Sequence, residues 1–438
     1  RSKNSSDNYR GPTPNTKVAA NGGLCTVPIN TCGPGSKTAE FKRVWNSFLN
    51  RCPKALTDPN ELVHRLRTRG GALCLLRLSS IGDVVLCTPV IRWLQQEFPL
   101  VRLHFVTKKG MEPLLEANSR LHAIHLWDKN EADLLQELAE QSFDAWIDLH
   151  NNWRTLRWYL RLRIKGPPLP RLALAKNNLG KWWLVQTKKR PLQTVHTVQK
   201  YEKMLASWGV RDDGLGLELP LTPHPGPSLH ESLGWESGRP ILALALGAQH
   251  PTKCLTEDQL LSLCRTLPGP LLLMGGPTDR ERAERLQAQA GRSDLAHRCG
   301  EWGLQESAWA LSQCACLLTP DTGLMHIASA LGIKTLVVWG NTVPEFGMYP
   351  WLAQPAPSAL RWVGNTSTGG QAQYAVLKNL PYAGPEYFET ATPCRPCSKL
   401  GHPQCPRGHF ECMRSQDLNL LTERARLALP SKEPSSQP

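Results

Sequence analysis

Residues 71–98 read Gly71-Ala-Leu-Cys-Leu-Leu-Arg-Leu-Ser-Ser-Ile-Gly-Asp-Val-Val-Leu-Cys-Thr-Pro-Val-Ile-Arg-Trp-Leu-Gln-Gln-Glu-Phe98, and this stretch decides the fold. Ala72–Leu78 is a short, nearly unbroken apolar run, the pattern of a strand buried on both faces. Ser79–Asp83 reads as a turn, and Val84–Phe98 carries apolar residues at helical spacing. The unit is strand, turn, helix.

Working outward, the unit repeats. Val101–Thr107 is a strand, followed by a helix near Met111–Ala117. Ile124–Trp127 is a third strand, with a helix over Glu131–Gln141, and Ala145–Leu149 is a fourth. Strands alternating with helices predict βαβ units and a parallel sheet covered on both faces. Right-handed crossovers make this a doubly wound domain with its site at the carboxyl ends of the strands. Leu219-Pro-Leu-Thr-Pro-His-Pro-Gly-Pro227 has the composition of a linker. Beyond it the alternation restarts: strands over Ile241–Leu246, Pro270–Met274, Cys316–Thr319 and Thr335–Trp339, and helices over Thr256–Thr266, Arg280–Ala290, Ser307–Gln313 and Thr322–Leu331. The expected fold class is therefore α/β, with two doubly wound Rossmann-like domains facing across a cleft, where ligands commonly bind. The expected boundaries are an N-terminal extension over 1–69, partly irregular with short helices at Ala39–Phe48 and Asn60–Arg67, domains over 70–222 and 228–425, and a flexible tail over 426–438.

The 438 residues, 41% of them hydrophobic and 20% charged, have the composition of a globular protein. No apolar run approaches the roughly 20 residues of a membrane-spanning helix, and the polar opening lacks the apolar stretch of a secretory signal. A cytosolic location is expected. The formal charge of +14 is concentrated: Asn151–Lys200 contains no Asp or Glu but carries Arg154, Arg157, Arg161, Arg163, Lys165, Arg171, Lys176, Lys181, Lys188, Lys189 and Arg190, with Trp153, Trp158, Tyr159, Trp182 and Trp183 between them. Such a surface attracts nucleic acid, anionic lipid headgroups or an acidic glycolipid; a solvated basic face is the competing reading. Of the fourteen cysteines, Cys74, Cys87, Cys254, Cys264, Cys314 and Cys316 sit in apolar or periodic segments and read as small buried hydrophobes.

The strongest local signal is Thr319-Pro-Asp-Thr-Gly-Leu-Met-His-Ile-Ala328. Asp321 or Thr322 can cap the following helix, Gly323 admits close approach, and the amides of Thr322, Gly323 and Leu324 would face an anion such as a diphosphate. His326 is either a ligand contact or a satisfied core histidine. Lys253 ends Leu246-Gly-Ala-Gln-His-Pro-Thr-Lys253 and offers a point charge for a departing diphosphate. Asp279, after Met274-Gly-Gly, stands where nucleotide-binding lobes hold ribose hydroxyls. No G-x-G-x-x-G follows a strand, which argues against a nicotinamide dehydrogenase. Asp83 is placed either to accept a proton from an acceptor hydroxyl or to cap a helix. Cys394-Arg-Pro-Cys397, with Cys405, Cys412, His402 and His409, offers either a structural zinc site or reduced thiols.

As a set these residues become recognisable. Arg77–Arg92, Asp148–Arg154, Gly247–Lys253, Met274–Asp279, Asp321–His326 and Gly340–Pro344 resemble the successive motifs of glycosyltransferase family 9, the ADP-heptose:lipopolysaccharide heptosyltransferases, from about Gly71 to Met413. The resemblance implies a GT-B fold and inverting transfer from a nucleotide-diphosphate sugar, ADP-heptose, to an acidic glycolipid acceptor. Domain 70–222 would then bind the acceptor and 228–425 the nucleotide sugar. It implies Asp83 as catalytic base, Lys253, Asp279, Asp321, Thr322, Gly323 and His326 on the donor, and Arg154 and Asn151 on the acceptor. It also implies peripheral contact with an anionic membrane surface on the cytoplasmic face of the inner membrane, and no nucleic-acid partner. Two departures stand out: Asp279 is shorter than the usual Glu, and Cys254 replaces a common basic residue. A GT-B enzyme using a UDP-sugar, a hexosaminyltransferase or an epimerase, is the nearest alternative, and a basic nucleic-acid-binding protein the other.

Overall fold

A computed structural model describes residues 58–165, 169–189, 195–354, 360–364 and 384–429. The expected helix at Ala39–Phe48, Arg190 and the tail beyond Leu429 lie outside them. The expected helix near Asn60 is present as Pro59–Arg69, capped by the Asp58 side chain on the amide of Asn60.

The first sheet contains β1 (Gly71–Leu76), β2 (Val101–Lys108), β3 (Leu121–Trp127), β4 (Ala145–Asp148) and β5 (Arg171–Ala173), all parallel, in the order β3-β2-β1-β4-β5. Its central strand buries both faces. Leu73 and Leu75 join the apolar layer formed with the helices Pro59–Arg69, Thr88–Glu97 and Thr197–Leu205. Ala72, Cys74 and Leu76 join the opposite layer, with the helices Glu131–Ala139 and Trp153–Lys165. Each fully buried Leu is worth roughly 1.5–3 kcal/mol, so a polar residue at any of these positions would be costly.

The second sheet contains β6 (Ile241–Ala245), β7 (Leu271–Met274), β8 (Leu295–His297), β9 (Cys314–Pro320), β10 (Lys334–Val338), β11 (Leu360–Gly364) and β12 (Glu386–Thr390), in the order β11-β12-β10-β9-β6-β7-β8, again parallel. Both sheets belong to one unit of the chain, Leu56–Pro438. The segment that reads as a linker has no regular secondary structure, yet Leu217 and Leu219 are buried and their apolar layer runs on into Ile241, Ala243 and Ala245 of β6. The lobes thus share a core.

In each sheet the strand order reverses beside the first strand, between β1 and β4 and between β6 and β9. Ligands of open α/β sheets bind outside the carboxyl ends at such points, where the chain places Ser79–Asp83, His150–Arg154, Gly247–Lys253 and Asp321–Gly323. The helix expected over Val84–Phe98 is two, Ile81–Val85 and Thr88–Glu97. Pro89 explains the break: it fits a first helical turn but not a helix interior. Among the described residues no helix is long and apolar enough to cross a membrane.

Candidate active site

Asp83 is the third residue of the short helix Ile81–Val85, directly after β1. One carboxylate oxygen accepts hydrogen bonds from the Ser80 amide at 3.1 Å and hydroxyl at 3.0 Å. The other pairs with an Arg77 guanidinium nitrogen at 2.5 Å. Burial alone would raise the pKa of this carboxyl, but the Arg77 charge and the Ser80 bonds outweigh it and hold the pKa below the ordinary value. Asp83 is therefore a stable carboxylate. It also closes the first turn of its helix from the N3 position, the N-cap being Ser80 rather than Asp83. Arg77, which the sequence offered only as part of a motif, is fixed by donating to Leu149 O at 2.7 Å and Ser79 O at 3.0 Å.

The loop after β4 is organised by the buried Asp148. Its carboxylate accepts from the amides of His150 and Asn151, from Thr155 Oγ1 at 2.7 Å and from Arg171 at 2.8 Å. Asn151, in the left-handed region, donates to Leu174 O at 2.7 Å and accepts from Arg171 at 3.0 Å. Its side chain is thus engaged at both ends within the lobe. Arg154 is exposed, its guanidinium 4.4 Å from the centre of the Trp127 ring, a cation–π contact that fixes where the charge stands.

Across the cleft, Lys253 Nζ lies 2.7 Å from Asp321 Oδ2 and 3.3 Å from the Asp321 carbonyl. Thr342 Oγ1 donates to the same carboxylate at 2.9 Å. Thr322 caps the helix Gly323–Ala330, its hydroxyl accepting from the Leu324 amide at 3.1 Å. That bond corrects one expectation: of the three amides expected to face an anion, Leu324 is already used, and Thr322 and Gly323 have no acceptor among the described residues. The macrodipole still favours negative charge at this end. The Asp279 carboxylate accepts from the Gly276 amide at 2.9 Å and closes over Gly247 at the end of β6. His326 is buried, and burial depresses its pKa to about 4, so the ring is neutral. Its Nδ1 has no hydrogen-bond partner among the described residues.

The two lobes meet here. A Cβ at Gly323 would lie 2.7 Å from Ile81 Cγ2, and one at Gly82 would run into the His326 ring. Asp83, Asp321 and Lys253 all act electrostatically on His326. Structure therefore gathers Asp83, Lys253, Asp321, Thr322, Gly323 and His326 into one crevice, with Asp279 at the end of the neighbouring strand, while Arg154 stands outside that group on Trp127. It also adds cations the sequence could not place. Lys181 is half-buried, and burial together with the charge of Lys200 lowers its pKa to about 8; it also feels Asp83, Lys399 and Arg77. Burial and Arg77 lower that of His150 to about 4.

The comparisons with known proteins agree with this arrangement. A family model described as glycosyltransferase family 9 (heptosyltransferase) matches residues 132–356, just over half of the chain. The chain belongs to this family. Lipopolysaccharide heptosyltransferase 1 of Pseudomonas aeruginosa is 24% identical over 296 residues, covering 62% of this chain and 79% of the relative. Lipopolysaccharide heptosyltransferase 2 of Salmonella typhimurium is 26% identical over 296 residues, covering 61% and 82%. Among solved structures, a family 9 glycosyl transferase of Veillonella parvula superposes with a TM-score of 0.55 at 20% identity over 65% of this chain and 84% of that one. The ADP-heptose lipopolysaccharide heptosyltransferase II of E. coli gives 0.52 at 17% identity over 80% and 99%. At these identities the structural likeness is one of fold, the two-lobed GT-B arrangement.

In this family 9 glycosyltransferase the Cys-rich segment braces the loops that carry Lys253 and Thr342. Buried Arg395 donates to the carbonyls of Gly340, Thr390 and Thr342 and pairs with Glu389. Thr252, beside Lys253, exchanges hydrogen bonds with the His402 backbone at 2.8 and 2.9 Å. Of the two readings of this segment, zinc site or reduced thiols, the zinc reading gains no support. Among the described residues no group of three or more His, Cys, Asp or Glu side chains is set to hold a metal ion. Cys412 is buried in the apolar core of the second lobe with Leu421 and Met413, Cys394 lies in a turn 3.6 Å from His409 Nε2, and Cys394, Cys397 and Cys405 all act electrostatically on Cys412. The thiols of Cys74, Cys87, Cys254, Cys264, Cys314 and Cys316 are buried, as their apolar surroundings predict.

Proposed function

We propose that this glycosyltransferase moves a heptose from ADP-heptose to an acidic lipopolysaccharide-core acceptor, with inversion at the anomeric carbon. The reading is supported above all by one relationship: a carboxylate whose pKa is held below its ordinary value, Asp83, on the helix that packs against the one carrying His326, near Lys253 and the start of that helix. In the reaction an acceptor hydroxyl oxygen bonds to the anomeric carbon on the face opposite the diphosphate. The anomeric carbon–oxygen bond breaks, ADP departs with the electron pair, and the hydroxyl proton passes to Asp83. Because Arg77 lowers the proton affinity of Asp83, transfer comes late, when carbon–oxygen bond formation has made the hydroxyl acidic. Lys253 and the amides of Thr322 and Gly323 receive the charge that develops on the diphosphate. Asp321 holds Lys253 in place, Asp279 takes the ribose hydroxyls, and neutral His326 packs the crevice floor without adding charge. On the acceptor side Arg154 meets carboxylates or phosphates of the core, and Asn151 keeps its loop in shape. Such an acceptor is membrane-anchored, so the enzyme works at the cytoplasmic face of the inner membrane.

The test is turnover of a short-core lipopolysaccharide with ADP-heptose, UDP-N-acetylglucosamine and GDP-mannose offered separately. Transfer with ADP-heptose alone is the expected result, and transfer only with a UDP-sugar overturns the donor assignment.

A further inference from the structure

Most of the first-lobe cations are explained by the fold. Arg157 and Arg161 pair with Glu131, and Arg171 with Asp148. The helix Asn178–Thr187 is different. On its inner side Leu184 is buried against Val343 and Phe346 of the second lobe, next to Thr342 of the donor loop, and Lys188 donates to Pro396 O at 2.7 Å in the Cys-rich segment. The helix is thus anchored to the donor side of the cleft. Its outer side presents Leu179, Trp182 and Trp183, which are 80%, 56% and 58% exposed. Positions 179, 182 and 183 are spaced to share one helical face.

Three large apolar side chains in water on one face call for a partner. The charges around them say which kind. Lys189 after the helix is exposed, Lys176 before it lies on the side of Arg77, Asp148 and Asp83, and no acidic residue occurs anywhere in 151–200. Indole rings beside lysines, with no carboxylate, match the headgroup boundary of an anionic bilayer, where Trp sits at the interface and Lys meets phosphate. A nucleic acid would satisfy the lysines and could stack on the indoles, but it offers nothing to Leu179, which a hydrocarbon phase does.

We infer that Asn178–Thr187 is a membrane-docking helix that inserts Leu179, Trp182 and Trp183 into an anionic phospholipid surface, with Lys189 on the headgroups. The inference rests on the lipid-anchored acceptor proposed above and names the surface through which the enzyme reaches it. Lys181, on the same helix, faces the cleft. Docking this helix therefore brings the mouth of the Asp83 crevice to the membrane surface where the acceptor's sugars emerge.

The experiment uses the full chain and vesicles of phosphatidylcholine alone or with phosphatidylglycerol, read by co-sedimentation, alongside transfer to a delipidated, water-soluble core acceptor. The wild-type chain is expected to bind the anionic vesicles and not the neutral ones. W182S/W183S is expected to lower vesicle binding at least tenfold, with ADP affinity and turnover of the soluble acceptor unchanged. The single variant L179S, expected to weaken binding several-fold, serves if the double variant melts early. Equal vesicle binding by wild type and both variants overturns the inference, as does wild-type binding to single-stranded DNA but not to vesicles. Loss of transfer to every acceptor with vesicle binding intact would instead overturn the heptose reading and leave this one standing.

Discussion

Gly82 lies against the ring of His326, leaving no room for a side chain at position 82. The two residues come from helices that begin beside the switch points of different sheets, so their contact sets how far Asp83, beside Gly82, stands from the Asp321–Gly323 loop near His326. Packed interiors transmit such displacements rather than absorbing them.

Gly82→Ala should force the two helices apart. A displacement on the order of 1 Å at a reacting centre can cost ~10²-fold in rate, and overpacking costs about 1–3 kcal/mol of stability. Steady-state rates at saturating donor, together with a thermal melt, check both. A rate within twofold of wild type would show that the contact does not set the geometry.

Asp83→Asn should lower kcat by ~10²–10⁴-fold while leaving ADP affinity unchanged, because the side chain touches Arg77 and Ser80 rather than the donor loop. Since Asp83 has a depressed pKa, the wild-type rate should not fall through its protonation between pH 5 and 8. Arg77→Met removes the cation that outweighs burial, so the acid limb of its pH–rate profile should move upward. A rate profile over pH 4–9 distinguishes the two roles.

Lys253→Met should weaken ADP binding and lower kcat by ~10²–10³-fold, the scale of losing one stabilising donor at developing negative charge. It also leaves Asp321 with Thr342 alone. Calorimetric ADP titration alongside initial rates tests this. Unchanged ADP affinity would separate Lys253 from the phosphates.

Stability should depend on pH through buried histidines. His196 caps the helix Thr197–Leu205, accepting from the Val198 amide at 3.2 Å through Nδ1 and contacting Tyr349 O at 2.9 Å through Nε2. That pattern requires the neutral, Nε2-protonated ring, and burial lowers its pKa to about 3; His326 is lowered to about 4. Below about 6.5 the unfolded chain binds protons that these rings refuse in the folded state, so unfolding takes up protons and stability is lost as pH falls toward 4. The melting temperature should drop from pH 7 to pH 5, and His196→Gln should flatten that slope. A melting temperature independent of pH over this range would contradict it.

Regular repetition made the central strands legible, because β1, β2, β6 and β10 are apolar runs whose burial is written in their composition. The short edge strand β5, with β8, β11 and β12, escaped notice: runs of three to five residues, interrupted by Arg in β5 and β11 and by Glu in β12, carry no periodic signal. The acid-free stretch showed its charge and its indoles at once but not its three helices, since Trp and Arg serve exposed and buried faces alike. Asp83, Lys253 and Asp321 stood out because each follows a strand end in a recognisable motif. C-x-x-C spacing left zinc and reduced thiols open, and among the described residues no group of three or more His, Cys, Asp or Glu side chains is set to hold a metal ion.

Chain order alone determined two α/β lobes and the loops that end their central strands, because β and α periodicities are local properties of neighbouring residues. Only the folded chain decided which loops meet. The Lys253–Asp321 pair joins positions 68 residues apart, and Gly82 against His326 joins two lobes. The pKa of Asp83 likewise reflects an outcome of packing, the balance of burial against one guanidinium. Distances between side chains on different strands follow from sheet order and helix packing, and neither is encoded in any short run of sequence.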